Sequence, residues 1–163
     1  MSVRLKGTRE LIHDVLGLYG QAMEAGTLVA QLDPALPIIE GDATLLRQVV
    51  HNLLQNAQDA TEAKAAGQVA APVVLKTQWS ATNRRVRMTV QDSGGGFPDN
   101  ILARAFEPYV TTKAKGTGLG LAVVKKIADE HGTRVDIANR LENERVAGAQ
   151  VSLSFEAAPA ATI

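Results

Sequence analysis

Cysteine is absent, which excludes disulfide staples and thiolate-bound metal. Excess charge is absent as well. The 17 Lys and Arg balance 17 Asp and Glu, a formal net charge of zero, without the basic surplus expected of a duplex nucleic-acid binder. No apolar run approaches the roughly 20 residues that a membrane-spanning helix needs, and no stretch reads as a signal peptide. The three histidines, His13, His51 and His131, lie far apart without metal-ligand spacing. What remains is a chain of 163 residues, long enough for one domain with a hydrophobic core of its own. It is expected to be soluble, to bind no nucleic acid and to be monomeric as it stands. Met1-Ser2 leading into a helix-like segment suggests a piece of a longer protein.

Apolar residues Leu11, Ile12, Val15, Leu16 and Tyr19 recur at helical spacing over about residues 8–25. Residues 27–33 read as a short strand closed by Asp33-Pro34. Asp42 is placed to cap a long helix running to about residue 66, with Leu46, Val49, Val50, Leu53, Ala57 and Ala60 on one face. Two alternating segments, VVLKTQWS and RVRMTVQD, read as an antiparallel hairpin turning at residues 81–84. A glycine-rich loop at 93–96 and a short helix at 99–105 follow. A helix at 119–131 is stopped by Gly132, and strands RVDIANR and GAQVSLSFE complete the domain. Helices placed before and between antiparallel hairpins imply an α+β fold, a mixed, mainly antiparallel sheet with helices on one face. The domain is expected over residues 1–157, with 158–163 a disordered tail.

Chemistry concentrates in TTKAKGTGLGL, residues 111–121. Gly116, Gly118 and Gly120 alternate after Lys113 and Lys115, just ahead of a helix start, where free N–H groups can meet a phosphate. A dinucleotide motif would need a buried strand before its first glycine, and TTKAK is polar. Taken alone, the run is equally a plain hinge. On the long helix, Asn52 and Asn56 stand four apart at the border of the apolar face. Such a pair is either solvated polar surface or the rim of a cleft whose amide oxygens suit Mg²⁺ and its phosphate partners. Asp92 ends its strand in phase with Val86, Met88 and Val90, so its carboxylate points coreward and demands donors. Those donors are either the following loop or a ligand's amino group, for which Gly94 and Gly96 leave room.

The order of four boxes, NLLQNAQDA, DSGGGFP, FEPYVTTK and GTGLGL, resembles the ATP-binding catalytic domain of bacterial sensor histidine kinases, within the gyrase, Hsp90, histidine-kinase and MutL superfamily. The likeness spans about residues 42–155, and FEPYVTTKAKGTGLGLAVVKKI is most similar to the nitrogen-regulation kinases of the NtrY and NtrB type. The resemblance implies a two-layer α/β sandwich, the Bergerat ATP-binding fold. It implies Asn56 as the Mg²⁺ ligand, Asn52 lining the phosphate site and Asp92 accepting from the adenine amine. Gly94, Gly96 and Phe97 would shape the base pocket. Phe106 and Tyr109 match an aromatic box anchoring a mobile lid. Thr111, Thr112 and Lys113 match lid positions near the phosphates, and Gly116, Thr117, Gly118, Leu119, Gly120 and Leu121 match the glycine box. Asp59 stands where many sensor kinases carry Lys or Arg, which shifts phosphate charge onto Lys113 and Lys115.

The superfamily's ATPases carry a Glu four residues before the metal-binding Asn. Here that position is Asn52, which cannot take a proton. Transfer rather than hydrolysis is therefore expected, to a histidine on a separate dimerisation and histidine-phosphotransfer domain, with a response regulator downstream. No acceptor motif is present: His13-Asp14 lacks the following proline, His51 reads as a helix-surface residue, and His131 ends a helix where a partial charge suits the dipole. The rival readings are a mechanical or repair ATPase and a non-catalytic nucleotide-sensing module. The expected location is a cytoplasmic domain of a membrane-anchored kinase.

Overall fold

A computed structural model describes residues 4–65, 71–102, 104, 106, 107 and 120–157. Strand β1 (Arg4–Gly7) runs into α1 (Thr8–Leu16), a 3-10 turn (Gly17–Tyr19) and α2 (Gly20–Ala25). One helix was expected over this stretch. It breaks where Gly17 and Gly20 weaken helical preference, and the turn buries Tyr19. Gly26, at φ +75, closes α2, and Thr27 N–H donates to the Ala22 carbonyl at 3.0 Å. Strands β2 (Leu28–Gln31) and β3 (Ile38–Gly41) lead to α3 (Ala43–Ala65). Asp42 caps α3 as the sequence implied: its Oδ1 accepts from Thr44 N–H at 3.0 Å and Leu45 N–H at 3.1 Å.

The hairpin expected next is β4 (Val73–Ser80) with β5 (Arg85–Gln91), in register from Val74 opposite Gln91 to Ser80 opposite Arg85. Then come α4 (Asp99–Leu102), α5 (Gly120–Glu130), β6 (Arg134–Glu142) and β7 (Arg145–Glu156). Two antiparallel strands, β1 and β3, form a small sheet. The main sheet runs β2-β4-β5-β7-β6, antiparallel except for β2 beside β4, so the mixed, mainly antiparallel sheet is borne out. Middle strand β5 delivers its C-terminal end to the site.

One face of the sheet carries the core. Val73, Leu75, Val86, Met88, Val90, Leu153 and Phe155 meet Ile12 and Val15 of α1, Val49, Val50, Leu53 and Leu54 of α3, and Val124 and Ile127 of α5. The opposite face is polar, with Thr89 and Ser152 hydroxyls bonded at 3.2 Å and Arg85 Nε donating to Ser154 Oγ at 2.6 Å. This is the two-layer arrangement expected, with helices packed on one side.

His131 joins two helices. Its Nδ1 lies 2.8 Å from the Ile127 carbonyl and its Nε2 accepts from Asp42 N–H at 3.0 Å, so the end of α5 is tied to the start of α3. The Nδ1 contact with the Ile127 carbonyl lies at the C-terminal end of α5, where the sequence placed this histidine. Gly132, at φ +62, ends the helix as expected. Among the described residues no helix is long and apolar enough to cross a membrane. The expected tail, 158–163, lies outside the described residues.

Candidate functional site

Helix α3 buries Leu53, Leu54 and Ala57, and this fixes Asn52 and Asn56 as half-buried residues on its shoulder. Ala60 continues the same row at the i, i+4 spacing, about 6 Å further along the axis per step. Gly94 packs on Ala60: a β-carbon at Gly94 would stand 2.7 Å from the Ala60 carbonyl oxygen. The loop after β5 therefore meets α3 one turn beyond Asn56. Ser93 N–H secures the contact by donating to Thr61 Oγ1 at 3.1 Å, from a threonine that is buried. Asp59, half-buried, accepts from Gln55 Nε2 at 3.1 Å. Behind the asparagines, the Tyr19 hydroxyl lies 2.8 Å from His51 Nδ1, so His51 is surface-exposed, as expected, but partnered. Burial, then the negative charge of Asp59, pushes the Tyr19 phenol up.

Asp92 is only 9% exposed. Its Oδ1 accepts twice, from Gly94 N–H at 2.9 Å and from Ala149 N–H at 3.0 Å. No described residue donates to Oδ2. Burial pushes the carboxyl above the usual aspartate range, while the Gly94 and Ala149 amides and the positive charges of Arg140 and Lys64 pull it part of the way back. The sequence offered two readings of Asp92, a bond to its own loop or an acceptor for a ligand. The bond to its own loop is present through Oδ1. An acceptor of this kind, desolvated and with one lone-pair face unclaimed, suits a neutral amino donor.

Gly96 adopts φ +76 beside half-buried Phe97. Phe106 and Leu121 are half-buried, Leu121 against the core, and Gly120 is the first residue of α5. Tyr109, Thr111, Thr112, Lys113, Lys115, Gly116, Thr117, Gly118 and Leu119 lie outside the described residues. Among the described residues no three of His, Asp and Glu converge. A cation beside Asn56 would thus depend on that amide oxygen, water and a ligand's own oxygens, a set that suits Mg²⁺. Sequence reasoning missed Thr61, Asn139 and Arg140. The one signal for the last was Gly148, a strand glycine directly opposite Arg140, the mark of a close backbone approach.

Residues 41–159 match the family described as histidine kinase-, DNA gyrase B-, and HSP90-like ATPase. A putative sensor histidine kinase, NtrY-like, from Rickettsia felis is 40% identical over 115 residues, covering 71% of this chain and 18% of that protein. This chain thus spans about a fifth of that relative. Among solved structures, the nucleotide-free catalytic domain of histidine kinase ThkA superposes with TM-score 0.76 at 29% identity, covering 98% of this chain and 100% of that one. Full-length ShkA in complex with AMPPNP gives TM-score 0.76 at 30% identity, covering 98% of this chain and 33% of that one.

Proposed function

Because the chain belongs to the histidine kinase-, DNA gyrase B- and HSP90-like ATPase family, we propose that it binds Mg²⁺–ATP and donates the γ-phosphate to a histidine on a separate dimerisation and phosphotransfer domain of the same sensor kinase. The observation that carries the reading is Asp92, a buried carboxylate with Oδ1 committed to the backbone and Oδ2 left to accept the adenine amine. ShkA's complex with AMPPNP, an ATP analogue, supports the same ligand here.

The row Asn52, Asn56, Ala60 sets the order along the bound nucleotide. The base lies by Gly94, Gly96 and Phe97, and the phosphates run toward Asn52. Asn56 would hold the magnesium ion, which when bound neutralises phosphate charge. Lys113 and Lys115 supply further positive charge, because Asp59 offers none. Thr111, Thr112 and Thr117 bond phosphate oxygens, and the backbone from Gly116 to Leu121 cradles them. Phe106 and Tyr109 anchor the segment between. Asn52 cannot deprotonate water, so hydrolysis lacks a base, and the acceptor imidazole provides the nucleophile. Its nitrogen bonds to the γ-phosphorus as the bridge to the β-phosphate breaks, leaving ADP. A response regulator then receives the phosphoryl group, and the domain works on the cytoplasmic side of a membrane-anchored kinase.

The test uses radiolabelled ATP with this chain alone, with the kinase's own acceptor domain, and with that domain's histidine changed to alanine. Acid-labile label on the acceptor in the second mixture only is the expected outcome. Rapid phosphate release by the chain alone would favour an ATPase. Binding without transfer would favour a nucleotide-sensing module.

A further inference from the structure

The loop 92–97 is gripped from its far side by β6 and β7. Asn139, half-buried on β6, makes two bonds to one residue: its Oδ1 accepts from Phe97 N–H at 2.8 Å and its Nδ2 donates to the Phe97 carbonyl at 2.8 Å. The neighbouring Arg140 turns to the loop's other end, and donates from Nε at 3.1 Å and Nη2 at 2.7 Å to the Asp92 carbonyl, with Ser93 Oγ 3.5 Å from Nη2. Alternate residues of a strand face opposite ways, and the irregular register between Arg140 and Leu141 marks where β6 departs from that rule. Opposite Arg140, Gly148 lets the Asp92 backbone come so close that a β-carbon would collide with its carbonyl oxygen. The main chain completes the grip: Asp92 N–H donates to the Ala149 carbonyl at 2.9 Å.

We propose that Asn139 and Arg140 are positioning residues for base recognition, fixing both ends of the glycine loop so that Asp92 Oδ2 and the Gly94–Phe97 backbone hold one shape before nucleotide arrives. The inference rests on the base-pocket reading above. A loop of Gly94, Gly95 and Gly96 has more backbone freedom than any other composition would give it, and that freedom must be lost for one carboxylate oxygen to meet one amine. Asn139 uses both ends of its amide and Arg140 both of its bonding nitrogens for this purpose. Neither need touch the ligand. The Arg140 charge also opposes the upward push that burial gives the Asp92 carboxyl.

The distinguishing readout is base discrimination. Guanine presents an acceptor where adenine presents its amine, so a loop held in shape prefers ADP to GDP. Calorimetric titration of both nucleotides should show Asn139→Ala and Arg140→Met binding ADP about tenfold more weakly, with GDP changed less than twofold. A purely structural loss would weaken both nucleotides together. Should Asn139→Ala fail to fold, as judged by circular dichroism, Asn139→Asp keeps the acceptor for Phe97 N–H, loses the donor, and carries the same expectation. If Asp92→Asn loses ADP while all these variants keep the parent's ADP-to-GDP ratio, the positioning role is wrong and the base pocket stands. If the parent has no preference for ADP and Asp92→Asn changes nothing, the base pocket itself falls, and this inference with it.

Discussion

Asp33 and Asp92 occupy equivalent places and do different work. Each follows a strand of the same sheet, each accepts from the N–H two residues on, and each accepts from the backbone of a neighbouring strand. Asp33 spreads the load, with Ala35 N–H on Oδ1 at 2.9 Å and Trp79 N–H on Oδ2 at 2.9 Å. Asp92 takes both donors on Oδ1. The Ala35 and Trp79 amides hold the Asp33 carboxyl below its usual range, against a small opposing effect of burial. At Asp92 burial wins and the carboxyl is pushed up. Satisfying both oxygens makes an aspartate a structural staple. Burying it with no described donor on the second oxygen leaves it, in the proposed site, in a state that a ligand's amine would improve. Asp33 contributes stability above the ordinary value of 3.8, lost as pH falls through its lowered one. Asp92 is neutral to stability below 3.8 and destabilises fully above its raised value.

The sharpest test of this contrast is Asp92→Asn. It puts a donor where an acceptor is needed and removes a charge-assisted bond of about 1.5–3 kcal/mol, so ADP affinity measured by calorimetry should fall about 10- to 150-fold. The melting temperature at neutral pH should hold or rise, because a desolvated charge is gone. A smaller effect is expected of Asn56→Ala. It should abolish the gain in ATP affinity on adding Mg²⁺, roughly tenfold, while metal-free ADP binding stays as in the parent; an unchanged Mg²⁺ response would reduce Asn56 to a surface residue. Smaller again is the effect of acid. ADP affinity of the parent should decline as pH falls, beginning above the ordinary aspartate value, and a titration series from neutral to mildly acidic buffer reads it. Asp33→Asn should move ADP affinity least of all. Its expected effect is a lower melting temperature at neutral pH, and any loss of nucleotide binding there would erase the distinction between the two carboxylates.

Much of this architecture was legible because local chemistry and burial agree. Asp42 caps α3 where an N-cap is read, the β4–β5 hairpin stands where it is read except that β5 stops at Gln91, one residue before Asp92, and Gly132 closes α5. The coreward phase of Asp92 followed from Val86, Met88 and Val90. Strands β1 and β3 escaped notice because each is four residues long and each is paired only by a distant segment. Nothing within RLKG or IIEG sets a period. The length of β6 and β7 was also missed. Their turn carries Asn143 at φ 51 and Glu144 at φ 66, where glycine would be the usual sign, so LENER shows no hairpin signal in the sequence. Asn139 and Arg140 were illegible for a different reason. Their partners are backbone atoms some 40 residues earlier, and backbone atoms have no sequence signature.

The bond between His131 and Asp42 has a mechanical meaning. It fastens the C-terminal end of α5 to the N-terminal end of α3. Helix α5 has 11 residues and so is about 16 Å long, a lever pinned at one end. A tilt of about 5° around the pin carries its free end, Gly120, about 1.4 Å, while His131 barely moves. Any rotation about that fulcrum displaces the Gly120 end most, the end that meets the phosphates in the proposed site.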